Sequence, residues 1–140
     1  MDGIERDTRY NGNFAFNVLG GKEFLFGKNK NKTIGFNAKI AFIGGNKYTP
    51  IDLAASIAQN TTVYMQDQAW QARTDMIFIP NIGVTYRVNK RRLSHSFKID
   101  IQNVSNNQAK LYPYFDTNRK TVVWSKQLSL IPNLIYTIKF

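Results

Sequence analysis

Apolar side chains on every second position, in five separate runs, constrain this chain more than any other feature of its sequence. Met76, Phe78, Pro80, Ile82, Val84, Tyr86 and Val88 form one run. The segment LIPNLIYTIKF at 130–140 forms another, with Leu130, Pro132, Leu134, Tyr136, Ile138 and Phe140 on one parity. Tyr10, Phe14, Phe16 and Val18, then Ile34, Phe36, Ala38, Ile40 and Phe42, then Phe97, Ile99 and Ile101 complete the set. Because successive strand side chains point to opposite faces, each run places its apolar residues together, whereas helical spacing is nearly absent. The fold class expected is therefore all-β.

The opposite parities are polar. They carry Arg9, Asn11, Asn13 and Asn17; Asn37 and Lys39; Asn81, Thr85 and Arg87; Lys98, Asp100 and Gln102. Five long strands are expected near 10–27, 33–43, 76–88, 94–104 and 121–140, in an antiparallel meander. The connections alternate between short basic turns, at 28–32 and 89–93, and long loops at 44–75 and 105–120. If Arg91 and Arg92 form a turn, Val88 faces His95, Tyr86 faces Phe97, Val84 faces Ile99 and Asn81 faces Gln102. Both faces then stay homogeneous, as one register requires. Lys22 shares parity with Phe24 and Phe26, which makes Gly20 and Gly21 a candidate bulge. Pro80 and Pro132 belong towards one rim of their strands, since proline is avoided in strand centres. Within the first long loop, IDLAASIAQ can form a turn or two of helix.

Composition narrows the function classes. The chain has 140 residues, one domain's worth, and no cysteine, which removes disulfides, thiolate metal sites and cysteine nucleophiles. No run reaches the 18 or so apolar residues of a membrane helix, and the first residues, MDGIERDTRYNGN, lack the apolar stretch of a signal peptide. The net charge is +10, yet six of the 19 basic residues sit in the turns KNKNK (28–32) and KRR (90–92). Without interleaved aromatics those turns read as solvated, and nucleic acid is not an expected partner. His95 is the only histidine and has no second ligand nearby, and the aspartates are scattered, so no metal, cofactor or catalytic site is expected and the chain reads as no enzyme. The glycine pairs at 20–21 and 44–45 lack a phosphate-loop pattern.

Five strands are too few to close a barrel, which in single-chain outer-membrane proteins takes an even number from about eight upward. Open edges and a broad apolar face are tolerated in neither water nor lipid, so the chain reads as part of something larger. GKEFLFGKNKNKTIGFNAKIAFIGGNKYTPID (21–52), VTYRVNKRR (84–92), KIDIQNVSNNQ (98–108) and the aromatic end together resemble the C-terminal barrel strands of TonB-dependent outer-membrane receptors, especially those of Bacteroidetes. The resemblance covers roughly residues 10–140. It implies a transmembrane β-barrel of roughly 22 strands filled by a plug domain, on which periplasmic TonB pulls to take up a siderophore, cobalamin or glycan. The signal peptide, plug and earlier strands of that family have no counterpart in this sequence.

The resemblance also implies an orientation and partners. The short turns and Phe140 lie at the periplasmic rim, the long loops face outward, and the apolar stripes meet outer-membrane lipid. Asn37, Lys39, Asn81, Arg87, Lys98, Asp100 and Gln102 face the lumen and plug. Tyr136, Ile138 and Phe140 match the spacing of the signal read by the barrel-assembly machinery, although Asn133 and Leu134 stand where a glycine is usual. Of the 19 aromatics, Tyr48, Tyr64, Trp70, Tyr112, Tyr114 and Trp124 fall in the loops or their extensions, where a receptor meets its ligand. The alternative expectation is a soluble lipocalin-like or sandwich binding module with an internal cavity.

Overall fold

The computed structural model describes residues 8–140, so the acidic segment 1–7 lies outside the described residues. Along the chain run β1 (Ala15–Phe26), β2 (Lys32–Ile43), β3 (Lys47–Tyr48), α1 (Leu53–Gln59), β4 (Ala72–Arg73), β5 (Ile77–Asn89), β6 (Ser94–Gln102), β7 (Lys110–Asp116), β8 (Thr121–Lys126) and β9 (Ile131–Lys139). These elements fall into two compact units. The sheet unit comprises Phe16–Phe42, Phe78–Asn107 and Leu128–Phe140; the loop unit comprises residues 8–15, Ile43–Ile77 and Gln108–Gln127.

The sheet unit is a five-stranded sheet in the order β1-β2-β5-β6-β9. The β5–β6 pair is antiparallel, with Val88 facing His95, Tyr86 facing Phe97, Val84 facing Ile99 and Ile82 facing Ile101. β9 continues each row: Ile138 faces His95, Tyr136 faces Phe97, Leu134 faces Ile99 and Pro132 faces Ile101. One face is thus apolar across three strands. The ladder between β5 and β6 stops at Ile82 and Ile101, so Asn81 and Gln102 do not pair; the Asn81 Oδ1 instead accepts the Asn103 N–H at 2.9 Å.

On the other face β2, β5, β6 and β9 contribute Asn37, Gly83, Asp100 and Asn133 to one polar row. A Cβ at Gly83 would stand 2.7 Å from the Asn37 amide and 2.8 Å from Asp100 Oδ1, so a larger residue there would displace these two side chains. Lys98 Nζ pairs with Asp100 at 3.2 Å, a partly exposed ion pair worth at most about 1 kcal/mol. β1 runs without interruption through Gly20 and Gly21, and Lys22 holds its ammonium 5.4 Å from the Phe24 ring centre. Pro132 lies at the start of β9, a terminal strand of the sheet, where a missing N–H is cheapest.

The side chains of the apolar face are exposed. Phe97 is 54 % exposed, Ile99 49 % and Leu134 80 %. Of the buried apolar side chains among the described residues, Ala41 belongs to the sheet unit and Ile77, Ala109 and Phe115 to the loop unit. The sheet is not closed into a barrel: β1 and β9 stand at its two ends as terminal strands.

The loop unit has its own local order. α1 begins at Asp52, whose side chain accepts the Ala55 N–H at 2.9 Å, and ends at Asn60 in the left-handed conformation. Ser56, fully buried, donates to the Asp52 carbonyl at 2.6 Å and accepts the Val63 N–H at 3.0 Å, tying the helix to the irregular segment that follows it. β3 pairs with β4, and β7 with β8. The chain between α1 and β4 is irregular, held by side-chain bonds described below.

Three boundaries differ from the sequence expectation, each for a local reason. The first strand begins at Ala15 rather than near 10, because Asn13 is left-handed (φ 65°) and the Arg73 guanidinium holds the Asn11 and Gly45 carbonyls at 2.9 and 2.7 Å and Asn13 Oδ1 at 3.1 Å. The strand expected over 121–140 is two strands, because the connection 127–130 is captured by side chains: Asn103 Nδ2 donates to the Leu128 carbonyl at 3.0 Å, and Leu130 N–H donates to Asn106 Oδ1 at 3.2 Å. Residues 110–116, expected within a loop, form β7; Pro113 is accommodated opposite Trp124, next to a register shift at Lys110 and Tyr112.

Candidate functional site

The loop unit encloses an open cavity of about 270 Å³ lined by Arg9, Lys47, Tyr48, Thr49, Tyr64, Gln66, Ala69, Trp70, Tyr112 and Pro113. Four separate stretches of chain build it. The strand pair β3–β4 presents Tyr48; the bridge between Ile51 and Tyr64 brings Tyr64 beside the same strand; β7 supplies Tyr112 and Pro113. Trp70 enters from the bend before β4 in the left-handed conformation, φ 59°, which a bulky residue rarely adopts. Its N–H donates at 3.1 Å to the hydroxyl of Thr49, a buried side chain that thereby offsets the local strain.

Cations and rings are interleaved around this opening. The Arg9 guanidinium stands 5.1 Å from the Tyr112 ring centre, within cation–π range, and the Arg9 carbonyl accepts the Lys47 N–H at 3.1 Å. Tyr48 packs edge-on against Trp124 at 5.0 Å, and Lys110 Nζ lies 5.3 Å from the Trp124 ring centre. Among the described residues the cavity lining contains no carboxylate. Such an arrangement can stack a flat or pyranose ring and donate hydrogen bonds from Gln66 and the basic side chains.

Of the six loop aromatics, Tyr48, Tyr64, Trp70 and Tyr112 line the one cavity, and Trp124 supports Tyr48 from outside it. Tyr114 lies two residues further along β7, exposed and away from the lining. Arg9, Lys47, Thr49 and Gln66 join the lining without being among the expected site residues. Arg9, expected on the polar face of the first strand, reaches the cavity because that strand has not yet begun. The potential signal was the Lys47-Tyr48-Thr49 triplet, a cation, a ring and a hydroxyl in succession.

The residues expected to face a lumen lie in the sheet unit. Asn37 and Asp100 flank Gly83; Lys98 pairs with Asp100; Asn81 holds Asn103; Lys39 lies two residues beyond Asn37 on β2; Gln102 faces Ile131. Arg87, with Asn89, Ser94, Ser96, Thr137 and Lys139, lines a broad concavity spanning β5, β6 and β9. Tyr136 and Ile138 stand in the apolar ladder of β9, and Phe140 follows the strand fully exposed. His95 Nδ1 lies 2.9 Å from the Tyr136 hydroxyl, with the two rings stacked. No group of metal-ligating side chains occurs among the described residues.

No family model, no curated protein and no solved structure matches this chain. No helix among the described residues is long and apolar enough to cross a membrane, which says nothing of crossing by strands.

Proposed function

We propose that the chain is the C-terminal part of the barrel domain of a TonB-dependent outer-membrane receptor, which takes up a bound nutrient such as a siderophore, cobalamin or glycan. The single observation that carries this reading is the uncovered apolar ladder, Ile82-Ile101-Pro132 through Val88-His95-Ile138, backed by a polar face and bounded by two open strand edges. Burying one such side chain is worth about 1.5–3 kcal/mol, so the exposed ones of this ladder, Ile82, Val84, Tyr86, Phe97, Ile99, Leu134, Tyr136 and Ile138, forgo on the order of 10 kcal/mol, comparable with a domain's whole stability. Lipid removes that cost on one side, and a hydrated lumen suits the other. The remaining strands, the plug that couples to TonB and the assembly machinery belong to the parent protein and the cell envelope. The cavity of Tyr48, Tyr64, Trp70 and Tyr112 then serves the ligand mouth.

The absence of native cysteine makes a direct test simple. Single cysteines at 84, 85, 98, 99 and 134, each carrying a nitroxide, are placed in the chain reconstituted in lipid vesicles. Val84, Ile99 and Leu134 are expected to collide with dissolved oxygen, and Thr85 and Lys98 with a water-soluble nickel chelate. A soluble binding module gives the opposite for the first group: shielding from both reagents, and a monodisperse monomer without detergent.

A further inference from the structure

The strongest concentration of charge in the sheet unit lies in two turns, and the cavity and the strand pattern leave it unexplained. Lys28 and Lys30 sit in the turn between β1 and β2, with Lys32 at the start of β2; Lys90, Arg91 and Arg92 form the turn between β5 and β6. The Asn89 N–H donates to the Asn31 carbonyl at 2.8 Å, so the two turns are bonded side by side. Lys90 N–H donates to the Leu93 carbonyl at 2.7 Å, which closes the second turn and leaves its three cationic side chains exposed around a shallow hollow. No Asp or Glu occurs within residues 24–32, 86–99 or 134–140, the segments that make up this end of the sheet. Six cations therefore stand together without an Asp or Glu side chain among the described residues of those segments, and their mutual repulsion costs stability unless an anion is supplied.

The apolar face next to these turns is aromatic. Tyr86, Phe97 and Tyr136 form one cross-strand row, with Phe97 and Tyr136 stacked at 4.4 Å and Phe26 6.3 Å from Tyr86. His95 bonds the Tyr136 hydroxyl one row closer to the turn. Along β5 the residues pass from aliphatic Val84 through Tyr86 to cationic Lys90 over roughly 20 Å at about 3.3 Å per residue. At the roughly 35–45° tilt of a membrane strand that path covers about 14–16 Å of depth, about half of the hydrocarbon core, and the order is that of hydrocarbon, interface and phosphate.

We propose that Lys28, Lys30, Lys32, Lys90, Arg91 and Arg92 form a rim that binds the phosphates of anionic glycerophospholipids. The inference rests on the reading that the apolar face meets lipid, and adds to it the headgroup chemistry at this end. Single-stranded nucleic acid would need rings interleaved with the cations, and none lies within 27–32 or 90–93; the rings stand on the sheet face instead. An acidic protein would gain from the charges but leave the adjoining aromatic row uncovered.

The test measures partition of the full chain, delivered from detergent, into vesicles of phosphatidylcholine alone and of a two-to-one mixture with phosphatidylglycerol. With each basic residue near the surface worth about fivefold, partition is expected to be more than tenfold stronger into the mixed vesicles and to weaken as salt is raised. The variant K28Q/K30Q/K32Q/K90Q/R91Q/R92Q should fall to the phosphatidylcholine level on both, and a K28R/K30R/K32R/K90R variant should retain the preference. β-type circular dichroism of each variant verifies folding. Equal partition of the unsubstituted chain into both vesicles overturns the rim while leaving the lipid-facing reading intact. A preference that survives the glutamine substitutions also overturns it. Binding to neither vesicle removes the lipid-facing reading and the rim with it.

Discussion

Single residues set the local conformations that no periodicity discloses. Trp70 was recognisable as a loop aromatic, but its left-handed backbone and its bond to Thr49 arise from a bend assembled over some twenty residues of separation. Thr49→Val keeps the shape and removes the acceptor, leaving the Trp70 N–H unpaired; a loss of about 1–3 kcal/mol in loop-unit stability is expected, read by Trp70 fluorescence during urea unfolding with Trp124 replaced by Phe. Asp116 is a second such residue. Its Oδ1 accepts the N–H groups of Arg119 and Asn118 at 3.0 and 2.9 Å, and the backbone bond from Arg119 foremost holds the carboxyl below its ordinary value of 3.8. A folded value below the unfolded one means that the carboxylate supports the β7–β8 turn above pH 3.8 and that this support fades as pH falls through the lower, folded value. Trp124, on β8, reports the loss. In acid titration its emission should change below pH 3.8, and in Asp116→Asn that transition should be absent.

At the scale of elements, alternation carried most of what could be read beforehand. Each of the apolar rows of β5 and β6 follows from parity together with the Arg91-Arg92 turn, because a slip of one residue would reverse both faces. The β7–β8 hairpin was hidden because Pro113 interrupts the run LYPYF, while the turn that identifies it, DTNRK, lies among residues that also suit a loop. The separation of β8 from β9 was hidden for another reason: it is imposed by tertiary bonds to Asn103. This buried asparagine, itself left-handed at φ 52°, donates to the carbonyls of Asn107 and Leu128 and accepts from Asn107 N–H and Ser105. Asn103→Asp preserves the size and turns the two donations into a carboxylate facing two carbonyls. We expect a cost of about 2–4 kcal/mol, faster amide exchange at Leu130 and along β9, and little change in the loop unit; Asn103→Gly, which relieves the backbone strain, should lose less.

For the whole molecule the balance is between an apolar face and two bare edges, and the two make separable demands. The face favours association through area, whereas β1 and β9 favour it through unpaired backbone groups that can template another strand. Without an amphiphile the chain should therefore elute as a broad, high-mass species rather than a monomer. Replacing Ile99, Leu134 and Tyr136 by serine reduces the exposed apolar area in the centre of the ladder, where these side chains are between 49 % and 80 % exposed. Because they contribute little buried area to the chain itself, the β-type circular dichroism should persist while the monomer fraction rises severalfold. Three serine substitutions on the polar face, at Thr85, Lys98 and Asn133, keep the area and should leave the elution unchanged. Association should be reduced rather than abolished in the first variant, since both edges remain. A chain that elutes as a sharp monomer before any substitution would mean that the face is already covered within the molecule, and the reading of these strands as one wall of a larger barrel would fall with it.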